Sequence, residues 1–150
     1  MEEPGRAIVR EEMASGGDAL PWLNATKFVE LAARRSIDAI VRAAEHEGIT
    51  FFDRGLIDAV CAMEWMEHAV PPDVADAFAR LRYARTVFLA PPWEDIFATD
   101  PERKHGFAEA VAEYDYLAKR LPELGYEPVL LSKVSVEARA DFVLDTLAKR

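Results

Sequence analysis

Three places in this 150-residue chain bring acids and bases close enough together to do chemistry. The sharpest is Asp53-Arg54-Gly55, which follows the apolar run Ile49-Thr50-Phe51-Phe52 and precedes a helical pattern starting at Leu56. An acid directly after an apolar strand is where nucleotide phosphotransferases put the carboxylate that holds Mg²⁺, directly or through water. A neighbouring arginine offers a fork of donors to phosphoryl oxygens. The same two residues also suit a plainer use, with Asp53 capping the next helix and Arg54 making a surface ion pair.

The second place is Thr99 to Ala110, where Arg103 and Lys104 stand beside Asp100 and His105. A basic pair in a loop-to-helix segment is the device that closes over a nucleotide and neutralises charge as a phosphoryl group moves. Asp100-Pro101-Glu102 equally matches an ordinary helix start, with Asp as cap, Pro in the first position and acid in the first turn. In the third place Glu3 and Arg6 flank a Pro-Gly turn. Glu3 could act as a general base or accept a substrate hydroxyl, and Arg6 could anchor an acidic group; a frayed polar terminus is the alternative.

These residues need elements to position them. The runs 49–52, 86–90 and 127–131 are short, rich in aliphatic and aromatic residues and bounded by turn or charge signals, so they predict buried strands. Residues 26–46, 56–68, 73–82, 104–121 and 135–148 carry helical periodicity, with Gly48 a stop for the first and Ser135 an N-cap for the last. Strands separated by helical crossovers predict a parallel sheet with helices on both faces, a three-layer α/β domain spanning 1–150. Ligands in such sheets gather at the carboxyl ends of the strands, which is where Asp53 and Arg54 fall.

Composition narrows the partners. Eighteen basic against 27 acidic residues give a formal charge of −9, which argues against nonspecific nucleic-acid binding because an acidic surface repels phosphate backbones. No apolar run reaches the roughly 18 residues of a membrane span, and the N-terminus lacks the pattern of a signal peptide. Cys61 is the only cysteine, which predicts a packed thiol and fits a reducing cytoplasm. His46, His68 and His105 lack zinc-ligand spacing. Trp22, Trp65 and Trp93 suit packing or a substrate pocket better than base stacking.

The order of "EPGRAIVREEMASGGDALPW", "FFDRGLIDAV", "RYARTVFLAPPWEDIFATDPERKHGFAEAVAEYDYL" and "LGYEPVLL" resembles the small AAA-type P-loop ATPases similar to the ribosylnicotinamide kinase half of NadR proteins. The resemblance covers essentially the whole chain. It implies a P-loop NTPase fold, ATP and Mg²⁺ as cofactors, and a small-molecule phosphate acceptor. It also makes Asp53 the metal-side acid, Arg54 its phosphate-side neighbour and Arg103 the lid arginine, with Lys104 beside it and Asp100 in the same motif. Glu3 and Arg6 then fall near the acceptor, and Lys133, in "LLSKVSV", falls where such folds pass the adenine ring. The family opens with a strand, a G-x-x-x-x-G-K-[ST] loop and a helix, whose backbone N–H groups and lysine hold the phosphates. No glycine here is followed five residues later by Gly-Lys-Ser or Gly-Lys-Thr. The expectation is therefore a kinase or ATPase body that lacks its first strand and Walker A loop, a truncated form that is inactive as it stands. A non-catalytic interaction module, oligomeric so as to cover the exposed sheet, is the competing expectation.

Overall fold

A computed structural model describes residues 1–102, 104 and 106–149. The chain divides into two compact units: residues 1–83 with 100–104, and residues 84–99 with 105–150. Arg103, named above as the lid arginine, and His105 beside it in sequence lie outside the described residues.

The first unit is helical. Helix α1 (Pro4–Ser15) has proline in its first turn and ends where Gly16 turns left-handed (φ 72°) and donates its N–H to the Glu12 carbonyl. Such a φ suits glycine because a side chain there would clash with the backbone. Helix α2 (Ala25–Ala43) starts at Asn24, whose side chain accepts the Lys27 N–H at 3.2 Å. It buries the small residues Ala32, Ala33 and Ser36 beside Val29, and small residues let neighbouring helices approach closely. Helix α3 (Leu56–Trp65) is apolar on almost every side, burying Leu56, Ile57, Ala59, Val60, Cys61 and Met63. A helix so patterned belongs in the interior. Helix α4 (Pro72–Arg80) adds Val74 and Ala77. Helix α2 packs on α1, α3 and α4, and the core is built from Ile8, Val29, Leu56, Val60, Met63 and Val74 with small residues between them.

The second unit holds strands β1 (Thr86–Leu89) and β2 (Glu127–Leu130), helix α5 (Phe107–Glu123) and helix α6 (Val136–Ala148). The strands pair in parallel, Thr86 opposite Glu127 and Leu89 opposite Leu130. The connection between them contains α5, which packs on β2, the arrangement a parallel pair demands because a tight turn cannot return the chain in the same direction. Ser135 caps α6, its Oγ accepting the Ala138 N–H at 3.2 Å.

Two expectations need correction. The run 49–52 does not form a strand; Ile49 and Phe51 are 71% and 49% exposed. Its described backbone partner is Met1, whose amine donates to the Phe51 carbonyl and whose carbonyl accepts the Asp53 N–H at 3.3 Å. Apolar residues favour a strand, but a ladder needs a neighbour along its length. The sheet among the described residues accordingly has two strands rather than three. Nor does Asp100-Pro101-Glu102 start a helix: α5 begins at Phe107, with Glu109 accepting the Gly106 N–H at 2.8 Å. The fold is thus mixed helix and strand with a small parallel sheet, consistent with an α/β P-loop-like architecture.

Candidate functional site

The corner before α3 is set by contacts on three sides. Arg54 has φ 57°, a left-handed backbone rare outside glycine, and that turn swings the chain into the helix at a cost of about 1–2 kcal/mol. Gly55 follows, and its N–H donates to the Asp58 carboxylate at 2.9 Å. The Leu56 N–H donates to the Tyr83 hydroxyl at 2.9 Å. The exposed amides of the helix start are therefore served by Asp58 and Tyr83. Asp53 is not the cap. Its side chain is exposed, with no hydrogen bond or ion pair among the described residues.

Glu3 links the corner to α1. One carboxylate oxygen lies 3.6 Å from Arg6 Nε and the other 3.8 Å from Arg54 Nε. Arg6 carries two closer partners, Asp100 Oδ2 at 3.1 Å and Glu102 Oε2 at 3.3 Å. The hydrogen bond that Arg6 donates to Asp100 is the largest of the effects that raise the Arg6 pKa above its ordinary value, assisted by Glu102 and Glu3. Asp100 also accepts the Glu102 N–H through Oδ1 at 2.8 Å, a local turn closed by the side chain. Lys104 sits 3.9 Å from the centroid of the Trp22 ring, within cation–π range. Four residues singled out in the sequence, Glu3, Arg6, Arg54 and Asp100, are thereby joined in one charged chain of contacts within the first unit. Lys133 lies in the second unit, exposed in the loop between β2 and α6.

Beside the Glu3–Arg54 contact is a cavity of about 340 Å³. Pro4, Ser36, Arg42, Phe52, Arg54 and Tyr83 are among its walls, and Phe52 and Tyr83 meet edge to face at 5.1 Å. The volume falls within the range of small-molecule sites, and aromatic walls with a few polar groups are their usual lining. Sequence reasoning did not find Tyr83, Glu102 or Arg42. The Gly55–Asp58 spacing was a readable cap signal, but Tyr83 reaches its amide across 27 positions, and no local pattern encodes that.

Two groups can be tested against this geometry. A single exposed carboxylate with no partner among the described residues, such as Asp53, suits Mg²⁺, which keeps several waters and binds through one or two carboxylates. No group of three or more His, Cys, Asp or Glu residues able to hold a metal occurs among the described residues. A triphosphate does not fit these residues. It needs a cluster of backbone N–H groups and a lysine, and the nearby described arginines face protein carboxylates: Arg6 and Arg54 share Glu3, and Arg35 is bidentate to Glu11.

Crossover-linked parallel strands in one unit, and an Asp-Arg corner beside an ion-paired cavity in the other, are consistent with a mixed α/β protein of P-loop-like type. The chain belongs to an AAA domain family, whose model matches residues 1–139. That family is of the AAA-type P-loop NTPases, for which nucleotide and Mg²⁺ use is a family property. No curated protein and no solved structure matches the chain. Among the described residues, no helix is long and apolar enough to cross a membrane.

Proposed function

We propose that these residues carry the metal-side and acceptor-side parts of a small-molecule kinase or ATPase, of the kind found in the ribosylnicotinamide kinase half of NadR proteins. The G-x-x-x-x-G-K-[ST] phosphate cradle of that family has no counterpart among these 150 residues. When bound, Mg-ATP supplies the phosphoryl group. On this reading Asp53 is the metal-side acid and Arg54 its neighbour. Glu3 orients an acceptor hydroxyl at the cavity rim, and Phe52 and Tyr83 form the wall against which the acceptor rests. Arg103 is the lid arginine, with Lys104 beside it, and Lys133 lies toward the base. The domain is three-layered, and the protein works in the cytoplasm, where the buried Cys61 thiol stays reduced.

The observation that carries this reading is the Glu3 carboxylate held between Arg6 and Arg54 at the edge of the cavity, with the exposed Asp53, which has no side-chain partner among the described residues, next to Arg54 in the chain. Calorimetric titration with ATP and Mg²⁺ tests it, on this chain and on a form extended in frame to include a G-x-x-x-x-G-K-[ST] loop. The short chain is expected to bind weakly or not at all and to show no phosphotransfer, because that transfer depends on positioning and charge stabilisation. The extended form is expected to bind, with its Mg²⁺ dependence lost in Asp53→Ala. Tight binding by the short chain, abolished by Asp53→Ala, would reveal another cradle and overturn the account. Failure of an extended form to bind would favour an oligomeric interaction module instead.

A further inference from the structure

Helix α2 carries two different stripes. Val29, Ala32, Ala33 and Ser36 are buried. Arg35, Asp38, Ala39 and Arg42 line the cavity beside the Glu3–Arg54 contact, and their spacing of i, i+3, i+4 and i+7 puts them on one face of the helix. A face covered by another element would be apolar; this one sets charges around a single small residue. Every wall of the cavity belongs to the first unit.

Most of the charge at those walls is already matched. Arg35 is bidentate to Glu11, Glu2 pairs with Arg10, and Glu3 pairs with Arg6 and Arg54. Asp38 and Arg42 are different: both are exposed, and neither has a hydrogen bond or ion pair among the described residues. An acid one turn before an arginine can form a helical ion pair, yet these two are not paired with each other. The last turn of α2 favours a cation whatever its side chain touches, so the helix dipole accounts for Arg42 and leaves Asp38 unexplained.

We propose that this cavity binds a small α-amino acid, with Arg42 taking its carboxylate, Asp38 its ammonium group, and its side chain resting on the Phe52–Tyr83 wall. A planar guanidinium offers parallel N–H donors to both oxygens of a carboxylate, and an aspartate accepts the N–H bonds of an ammonium. A plain anion would be repelled by Asp38 and a plain cation by Arg42, whereas a zwitterion satisfies both. One free fork is too little for a triphosphate. The cavity volume of about 340 Å³ lies at the low end for small-molecule sites, which suits a ligand of this size. Arg6, expected to anchor an acidic group, has its guanidinium on Asp100 and Glu102, so that duty passes to Arg42. The site itself stands on the cavity. That the amino acid carries a hydroxyl and serves as phosphate acceptor beside Glu3 rests on the function proposed above.

The test is calorimetric titration of the full chain, without nucleotide, with L-serine, L-threonine, L-homoserine and L-tyrosine. The des-amino acid and the decarboxylated amine of the tightest binder follow. At least one amino acid is expected to bind, and both truncated forms should bind about tenfold or more weakly. Arg42→Gln should weaken the amino acid about tenfold or more and leave the amine unchanged, with Arg42→Lys between it and wild type. Asp38→Asn should weaken the amino acid and leave the des-amino acid no weaker. Ala39→Leu, which narrows the cavity between the two charges, should abolish binding while keeping both. Failure of all four amino acids to bind, affinity indifferent to these substitutions in folded variants, or equal affinity for the amino acid and its des-amino form would overturn the site. Because no nucleotide is present, those results leave the ATP titration to judge phosphotransfer separately. An amino acid that binds through Arg42 and Asp38, but is not phosphorylated by an extended form that binds ATP, would refute the acceptor role and keep the site.

Discussion

Replacing Gly55 by alanine would put a methyl group where the Tyr83 phenol already sits. A Cβ at this position would fall 2.2 Å from the Tyr83 oxygen and 3.0 Å from its Cζ, so the ring must move. The backbone is not the obstacle, because φ at Gly55 is 168°, an extended value open to any residue. What moves with the ring sets the magnitude. The buried Leu56 N–H loses its 2.9 Å acceptor, costing about 1–3 kcal/mol for an amide left unpaired. The edge-to-face contact with Phe52 at 5.1 Å adds roughly 0.5–1 kcal/mol. Gly55→Ala should therefore destabilise the protein by about 1.5–4 kcal/mol, read from urea unfolding followed by circular dichroism. Tyr83→Phe alone should cost about 1 kcal/mol, because it removes the acceptor and keeps the ring. Combining the two makes the closest contact the ring carbon rather than the oxygen. The double variant should then be less destabilised than the sum of the singles, by about 1 kcal/mol. A Gly55→Ala change within about 0.5 kcal/mol of wild type, or strict additivity in the cycle, would refute the view that Tyr83 fixes this corner.

Further outcomes follow from other contacts. Met63 is fully buried in the core beside α2, so Met63→Ala should cost about 2–5 kcal/mol in urea unfolding. The Glu30 carboxyl is held below its ordinary pKa, first by His68, whose Nε2 lies 3.0 Å away, and then by Arg34. A depressed carboxylate adds stability above its unfolded value and loses it as pH falls through the folded one, so below about pH 4.3 the unfolding free energy should drop more steeply in wild type than in Glu30→Gln. Asp53→Ala should change stability by less than about 0.5 kcal/mol, which a thermal melt checks directly.

The helices were legible because their signals are local. Periodic apolar residues marked α2 through α6, and Ser135 was a readable cap that the structure uses. The strands were half legible for a physical reason. Residues 86–90 and 49–52 have the same kind of composition, yet only the first finds a ladder, Thr86–Leu89 on Glu127–Leu130. Composition reports that a segment tolerates the pleat; it does not report whether another segment arrives beside it. Asp100 failed as a helix cap on similar grounds. Its residue type fits a cap, but an arginine 94 positions away takes one carboxylate oxygen and the turn takes the other.

That competition also bears on what Asp53 is for. The two structural duties open to an acid before a helix are to cap the exposed amides and to neutralise a neighbouring cation. Here the first is discharged by Asp58 and the Tyr83 hydroxyl, and for Arg54 the second is met by Glu3 from another helix start. The backbone of Asp53 takes part in the fold through its N–H on the Met1 carbonyl, a bond that any residue but proline could make. Among the described residues the Asp53 carboxylate has no partner in the fold. On the proposed function that charge meets an external cation, so its removal should register in metal dependence rather than in stability.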